Sequence, residues 1–532
     1  MKEEIKKIIE LAVNELDPAK SPAEHLGGLS FLVEIPGEKN NGDYSTSVAL
    51  VLAKKLGKNP REVAEDIKNK ISSGLFSKVE VAGPGFINFF IAEKYLQEQL
   101  KVVLKEKDKF GNLKIGKGQK INVEFVSANP TGPLTLGNGR GGFGGDVLSN
   151  VLEKAGYGVS REYYINDTGA QINKLGHSVI GDDEAVYKGE YIDSLRKRVK
   201  GNGPEDIGKK AAKVILSEMI VPSVKKMGIK FDKWFSETTL YKSKEVDKAI
   251  SELKQKGFTY EAEGALWFKS TDQGDDKDRV LVRADGAKTY FASDIAYLRN
   301  KLNRGFDKLI IFLGADHYGY VARLKAALHA MGFLPEKLDA IVLQLVRLFE
   351  NGKEVRMSKR TGIYVTIDEL IDEVGLDIAR FFFLQRSLNT HFNFDMDLAK
   401  EKSDKNPVFK VQYAYARINS IFAKAGFKNA KAKNLELLKE PSELDLAKQI
   451  IRYKEVVEDT AKDYQLQRLS TYALELAESF HKFYEKCKVI TDDKSLTDAR
   501  LALLLAAKIV LSGTLKLMGI SAPEKMERNE VK

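Results

Sequence analysis

A multidomain protein combining α/β domains with an all-α bundle is predicted by three observations. Apolar strand-like runs at INVEFV (121–126), LIIFLG (309–314) and AIVLQLV (340–346) are joined through helical patterns, which argues for a parallel, doubly wound sheet. From about residue 405 to the C-terminus only helical periodicity remains. The length of 532 residues exceeds what one hydrophobic core usually supports, so several domains are expected.

Residues 1–111 read as a small N-terminal α/β module, with helices around 45–56 and 60–72 and strands at VEVAG (79–83) and FINFFI (86–91). The polar stretch KFGNLKIGKGQK (109–120), punctuated by Gly111, Gly116 and Gly118, links it to the next domain. Residues 112–372 form the Rossmann-like, parallel-sheet domain, in which the Lys- and Glu-rich stretch near 180–260 reads as a helical insertion. A connecting segment, 373–404, precedes a C-terminal helical domain, 405–532, with N-cap candidates Ser442, followed by Asp445, and Thr497.

Composition narrows the function. The formal charge of +10 leans toward a polyanionic partner, although 75 acidic residues offset 85 basic ones. A single cysteine, Cys487, excludes a disulfide framework and a thiolate zinc cluster and fits a reducing cytosol. The six histidines have no ligand-like spacing, so no resident metal is expected. MKEEIKKIIELAVNEL is a charged amphipathic helix rather than a signal peptide. Lys508 and Lys516 interrupt the apolar stretch 501–520, which reads as a bundle helix rather than a membrane span. A cytoplasmic, non-membrane protein is expected, most simply a monomer.

The richest segment is SANPTGPLTLGNGRGG (127–142). Its GNGRGG, with Glu162 about twenty residues on, is a literal dinucleotide-binding fingerprint. The spacing argues against a nicotinamide dehydrogenase, because the strand ends about ten residues before the first glycine, with Pro130 and Pro133 between. Phe143, Val147, Leu148, Val151, Leu152 and Ala155 follow the helical period, so a helix starts near Gly137 and Gly156 can end it. Its N-terminus at the carboxyl edge of a parallel sheet suits an anion such as a triphosphate. Six glycines within 137–145 point to close packing on the sheet, close approach of a ligand, or both.

Further on, Asn351-Gly352 is a strong hairpin signal leading into Arg356-Met357-Ser358-Lys359. With this second loop about 220 residues after the first motif, the chain resembles the class I aminoacyl-tRNA synthetases. Those enzymes carry H-I-G-H at the strand-loop-helix junction and K-M-S-K in a later loop. Here Thr135, Leu136, Gly137 and Asn138 occupy the first motif, a form similar to that of tryptophan-type enzymes, and Arg356 replaces the first lysine of the second. The resemblance implies that both segments contact ATP, with Lys359 neutralising the triphosphate. A threonine hydroxyl and an asparagine amide can still donate to phosphate oxygens, although neither becomes cationic.

Segments along nearly the whole chain resemble the arginyl-tRNA synthetases, among them NNGDYSTSVALVLAKKLGKNP, AGPGFINFFI, YYINDTGAQI, DDKDRVLVRADGAKTYFASDIAY, GADHYGYVARLKAAL and NPVFKVQYAYAR. The resemblance implies that Glu124, Ser127, Asn129, Tyr290 and Asp294 hold the substrate arginine, with Asp316 and His317 in support. Carboxylates suit a guanidinium because they take its planar donors two at a time. Leu298 departs from the family, which more often has histidine there. Tyr413 and Arg417, at helical spacing, resemble the start of an anticodon-binding domain, and the N-terminal module resembles one that contacts the tRNA elbow. The implied activity is arginine activation by Mg-ATP followed by acyl transfer to tRNA-Arg, with no zinc. Two alternatives are a degenerate paralogue that binds tRNA or nucleotide without charging it, suggested by the missing histidines, and a lysine or cysteine specificity.

Overall fold

The computed structural model describes residues 1–16, 31–317, 319–355, 365–427 and 433–526, together forming two units. One gathers Met1–Phe110, Ala414–Val456 and Glu475–Gly513. Its strands β1 (Val33–Glu34), β2 (Tyr44–Thr46), β3 (Phe76–Ala82) and β4 (Phe86–Ile91) pair antiparallel in the order β1-β2-β4-β3. The helix expected over 45–56 starts only at Val48, because Tyr44–Thr46 is taken first by pairing with β4. Charged contacts join this sheet to the later helices of the same unit: Tyr44 donates to Glu455 at 3.1 Å and Lys448 meets Asp43 at 2.8 Å.

Two caps differ from those expected. The helix Pro441–Ile451 begins with a backbone N–H of Glu440 bonded to Glu443 Oε2 at 3.0 Å, one turn around Ser442. Asp493, not Thr497, caps the helix Lys494–Leu517, accepting from the N–H groups of Ser495 and Leu496 at 2.8 and 3.1 Å. In both places a carboxylate wins, as its charge suits a helix N-terminus better than a hydroxyl does.

The second unit comprises Gly111–Tyr413, Val457–Leu474 and Thr514–Lys532. Strands β5 (Lys120–Glu124), β6 (Gly158–Ile165) and β7 (Lys233–Ser236) run side by side and parallel. Thus the stretch expected to be a helical insertion supplies an edge strand of the sheet. A small antiparallel sheet follows from β8 (Thr259–Ala262), β9 (Ala265–Phe268) and β10 (Arg279–Val282). The chain then returns to the other side of β5 as β11 (Lys308–Gly314) and continues to β12 (Leu338–Leu343), completing the parallel order β12-β11-β5-β6-β7. Buried Ile121, Val123, Leu309 and Ile310 account for the continuous apolar runs of the central strands, which need cover on both faces.

AIVLQLV does not form one strand. It breaks after Leu343, and β13 (Val346–Glu350), β14 (Lys353–Val355) and β15 (Phe392–Asp395) form a separate sheet in the order β14-β13-β15. Asn351 and Gly352, with φ of 51° and 70°, make the tight β13–β14 hairpin as the sequence predicts.

The glycine-rich helix runs from Leu136 to Lys154, and every member of its expected apolar face is buried. At Gly139, Gly141, Gly142, Gly144 and Gly145 an added Cβ would fall under 3.0 Å from a neighbouring side chain, among them Ile367, Leu343 and Phe125. Close packing therefore explains five of the six glycines. Gly137 alone is open, with only Thr135 Oγ1 near, at 3.8 Å. Gly145→Ala should destabilise the protein by about 1–3 kcal/mol through overpacking against Phe125, whereas Gly137→Ala should be neutral or slightly stabilising. Denaturant unfolding of the two variants checks the contrast.

Candidate functional site

Strand order reverses between β5 and β11, so their carboxyl ends open a crevice of the kind that binds ligands in such sheets. The chain leaves β5 through two residues with left-handed backbone, Val126 at φ 65° and Ser127 at φ 36°. Such conformations are costly for these residue types and persist where surrounding contacts fix them. Here Ser127 Oγ accepts from the Tyr164 N–H at 3.0 Å, and the Tyr163 hydroxyl donates to the carbonyl of Ala128 at 2.9 Å. The turn thereby aims 127–135 over the crevice.

A cavity of about 1100 Å³ occupies this position, and the structure brings Glu124, Ser127, Asn129, Asn138, Tyr290, Asp294 and His317 to its walls. Tyr290 starts the helix Tyr290–Asn303, so Asp294 lies one turn along on the same face, as its spacing predicts. Asp316 belongs to the turn Ala315–His317 that follows β11, and its side chain lies outside the described residues. Leu298 also lines the cavity and is buried in the apolar cluster beneath it.

The inner end of the cavity is rich in carboxylates. Glu124 is paired with the fully buried ammonium of Lys301 at 2.5 Å, which also lies over the Tyr297 ring at 4.3 Å. Asp294 accepts a hydrogen bond from the Tyr320 hydroxyl and makes no ion pair among the described residues. Burial pushes the Asp294 carboxyl up to about 7, with the Glu124 charge adding to it, while Tyr320, Lys301 and Arg323 pull the other way. Behind the lining, a third acid, Glu237, lies just beyond β7 and is only 2% exposed. Its carboxyl is likewise raised to about 7, first by burial and then by the charges of Asp294 and Asp167. Sequence reasoning missed Glu237, because β7 was hidden within the expected helical insertion and nothing in FSETTL marks the residue as buried.

At the outer end, Thr135 and Asn138 close on each other. Asn138 Oδ1 accepts from both the backbone N–H and the hydroxyl of Thr135, at 3.0 and 2.9 Å. The hydroxyl proton of Thr135 is thus engaged in the cap, and donors toward an anion remain on the Asn138 amide nitrogen and the first backbone N–H groups of the helix. Leu136 is buried and serves packing. Arg356, Met357, Ser358 and Lys359 lie outside the described residues, but the chain re-emerges beside this helix start. Thr366 makes an antiparallel bridge with Thr135, and the Ile367 N–H donates to the Leu134 carbonyl at 3.1 Å.

Arg140 ties the same helix to the chain just beyond β12. It is fully buried and donates to the carbonyls of Gln344 at 3.0 Å and Ser387 at 2.8 Å. Burial lowers its pKa to about 10, which leaves the guanidinium charged at neutral pH. Glu162, the acid of the apparent dinucleotide fingerprint, is fully buried and bound by Arg304 at 2.7 and 2.8 Å, Tyr297 at 2.6 Å and Asn122 at 3.0 Å. It has no capacity left for a ribose. Tyr413 and Arg417 are on the helix Pro407–Lys424 and are not among the residues lining the cavity; both are half-buried. Arg417 donates to the Tyr484 hydroxyl at 2.7 Å, and Tyr413 stacks on Phe409 with ring centroids 6.1 Å apart.

Comparison with known proteins agrees with this geometry along the whole chain. Residues 3–91 match the arginyl tRNA synthetase N terminal domain, residues 99–184 and 182–383 the catalytic domain of tRNA synthetases class I (R), and residues 411–526 the DALR anticodon binding domain. The arginine–tRNA ligase of Acetivibrio thermocellus is 46% identical over 93% of this chain and 94% of its own. That of Caldanaerobacter subterraneus subsp. tengcongensis is 45% identical over 99% of both. Among solved structures, Thermus thermophilus arginyl-tRNA synthetase superposes with a TM-score of 0.79 at 22% identity, covering 99% of this chain and 100% of that one, a likeness of fold. The chain belongs to the arginyl-tRNA synthetase family.

Proposed function

We propose that this enzyme ligates L-arginine to tRNA-Arg in two steps, activating the amino acid with ATP as arginyl-adenylate and then transferring the acyl group to the terminal ribose. One observation carries the choice of amino acid: Glu124 and Asp294 line the cavity together, Glu124 already paired with the buried ammonium of Lys301 and Asp294 held by the Tyr320 hydroxyl. A guanidinium supplies the missing cation and the planar donors that carboxylates accept. Asp294 and Glu124 hold that group, Tyr290 flanks it, and Asn129 and Ser127 orient the α-amino and carboxylate end. Rejection of other amino acids follows, because a substrate lacking the cation leaves buried charge unpaired.

ATP is the co-substrate. Asn138 and the helix N-terminus opened by Thr135 and Gly137 receive its phosphates, and Arg356 and Lys359 bring positive charge as the arginine carboxylate attacks the α-phosphorus and pyrophosphate leaves. Magnesium enters as Mg-ATP. Tyr413, Arg417 and the N-terminal module contact the tRNA, and the protein works as a cytoplasmic monomer. No observation favours a non-charging paralogue.

Incubation with arginine, ATP and total tRNA should yield acid-precipitable arginyl-tRNA, and failure to form it would sink the catalytic reading. Asp294→Asn should lower kcat/KM for arginine by roughly 100-fold or more, since it leaves a buried guanidinium short of its partner. Acidity provides a further check. Asp294, raised from an ordinary 3.8 to about 7, carries a proton below pH 7 that must leave when the guanidinium binds. Thus kcat/KM for arginine should rise with pH up to about 7 and flatten above it, and calorimetry near neutrality should detect proton release into buffer.

A further inference from the structure

We propose that Tyr320 is a positioning residue for arginine selection: its hydroxyl orients Asp294 toward the cavity, and Arg323, stacked on its ring, holds the tyrosine in place. The inference rests on the reading that Asp294 receives the substrate guanidinium. Tyr320 opens the helix Tyr320–Ala330 that follows β11, on the side of the crevice opposite Glu124, and donates to Asp294 Oδ2. Burial and the Asp294 charge push its phenol far above the ordinary range, so the group keeps its proton and acts as a donor. The guanidinium of Arg323 lies over the Tyr320 ring at 4.7 Å and over Phe291 at 5.8 Å, and its Nε is 4.0 Å from Asp275. Asp275 is fixed in turn by Arg279, at 2.8 and 3.1 Å.

The arrangement holds one carboxylate oxygen of Asp294 and leaves the other for a ligand, without spending a cation on the pair. The groups that bear on Asp294 are Glu124 from β5, Tyr164 from β6, Glu237 and Tyr241 beyond β7, Lys301 on its own helix, and Tyr320 and Arg323. Among them Lys301 already bonds Glu124, and Arg323 faces Asp275. Tyr320 is therefore the neutral group that favours the ionised form of Asp294 without competing with an incoming guanidinium for its charge. A purely structural tyrosine would act through its ring, packed edge-on against Phe291 with centroids 6.2 Å apart, and its hydroxyl would be dispensable.

Tyr320→Phe separates these roles, because it keeps the ring and removes the donor. The expected result is a KM for arginine raised on the order of tenfold at pH 7, with kcat and the KM for ATP little changed. The acidic limb of kcat/KM for arginine should also move up by about one pH unit, since an acid that loses a donor to its charged form ionises later. Glu237 titrates in the same range, so the limb belongs to the pair and the shift is read against wild type. An unchanged KM and an unchanged limb would overturn the proposal. Should Tyr320→Phe fail to fold, judged by thermal unfolding, Arg323→Gln must shift the limb in the same direction, and an unshifted limb there overturns it equally. Asp294→Asn, measured in parallel, isolates the underlying reading: if that variant binds arginine normally, the pocket assignment itself fails, whatever Tyr320 does.

Discussion

The close approach of one helix to the parallel sheet governs the placement of the site. Five glycines let Leu136–Lys154 lie against Phe125, Leu343, Leu388, Met227 and Ile367 at distances no side chain would permit. Arg140 locks the same helix to the point where the chain leaves the sheet, through the carbonyl of Gln344, and to Ser387. Burying a guanidinium without a carboxylate is costly, and the two carbonyl bonds with the Phe392 ring at 5.5 Å offset only part of that cost. The helix N-terminus is consequently fixed in depth and direction relative to β5, and the bridge between Thr135 and Thr366 places the segment after the second loop beside it.

The acids near the other end of the cavity are set by burial. Lys301 is fully buried and bonded to Glu124, so Asp294 and Glu237 share an environment that favours their neutral forms. Asp294 is held by the Tyr320 hydroxyl and Glu124 by Lys301, so the charge of Asp294 is the one that a bound cation would meet in the proposed reading. Tyr164, Tyr297 and Tyr320 surround them with rings that exclude water and hydroxyls that add no charge.

Much of this was legible in the sequence. The 3.6-residue period of Phe143 to Ala155, the Asn351-Gly352 hairpin and the one-turn spacing of Tyr290 and Asp294 are local signals, and local physics decided them. Elements fixed by distant partners were hidden. Short β7 is a strand because β6 lies beside it, the run 340–346 breaks because Val346 pairs with Phe392 of β15, and Glu237 is buried only through the placement of β7. The glycines were ambiguous for the same reason. Their neighbours, Ile367 and Leu388, come from more than 200 residues further along the chain.

The buried acids at the base of the cavity also bear on any attempt to make this protein more robust. The carboxyls of Asp294 and Glu237 are raised to about 7 by burial, whereas in the unfolded chain they are ionised well below that, so at neutral pH these two positions cost the fold stability, a cost that a bound cation would relieve. A neutral amide at Asp294 or Glu237 would relieve that cost, and at Asp294 it would also remove the charge that the proposed arginine pocket offers. Fitness of the fold and fitness of the catalyst pull against each other at Asp294, and a stabilising screen blind to activity would be drawn to it first.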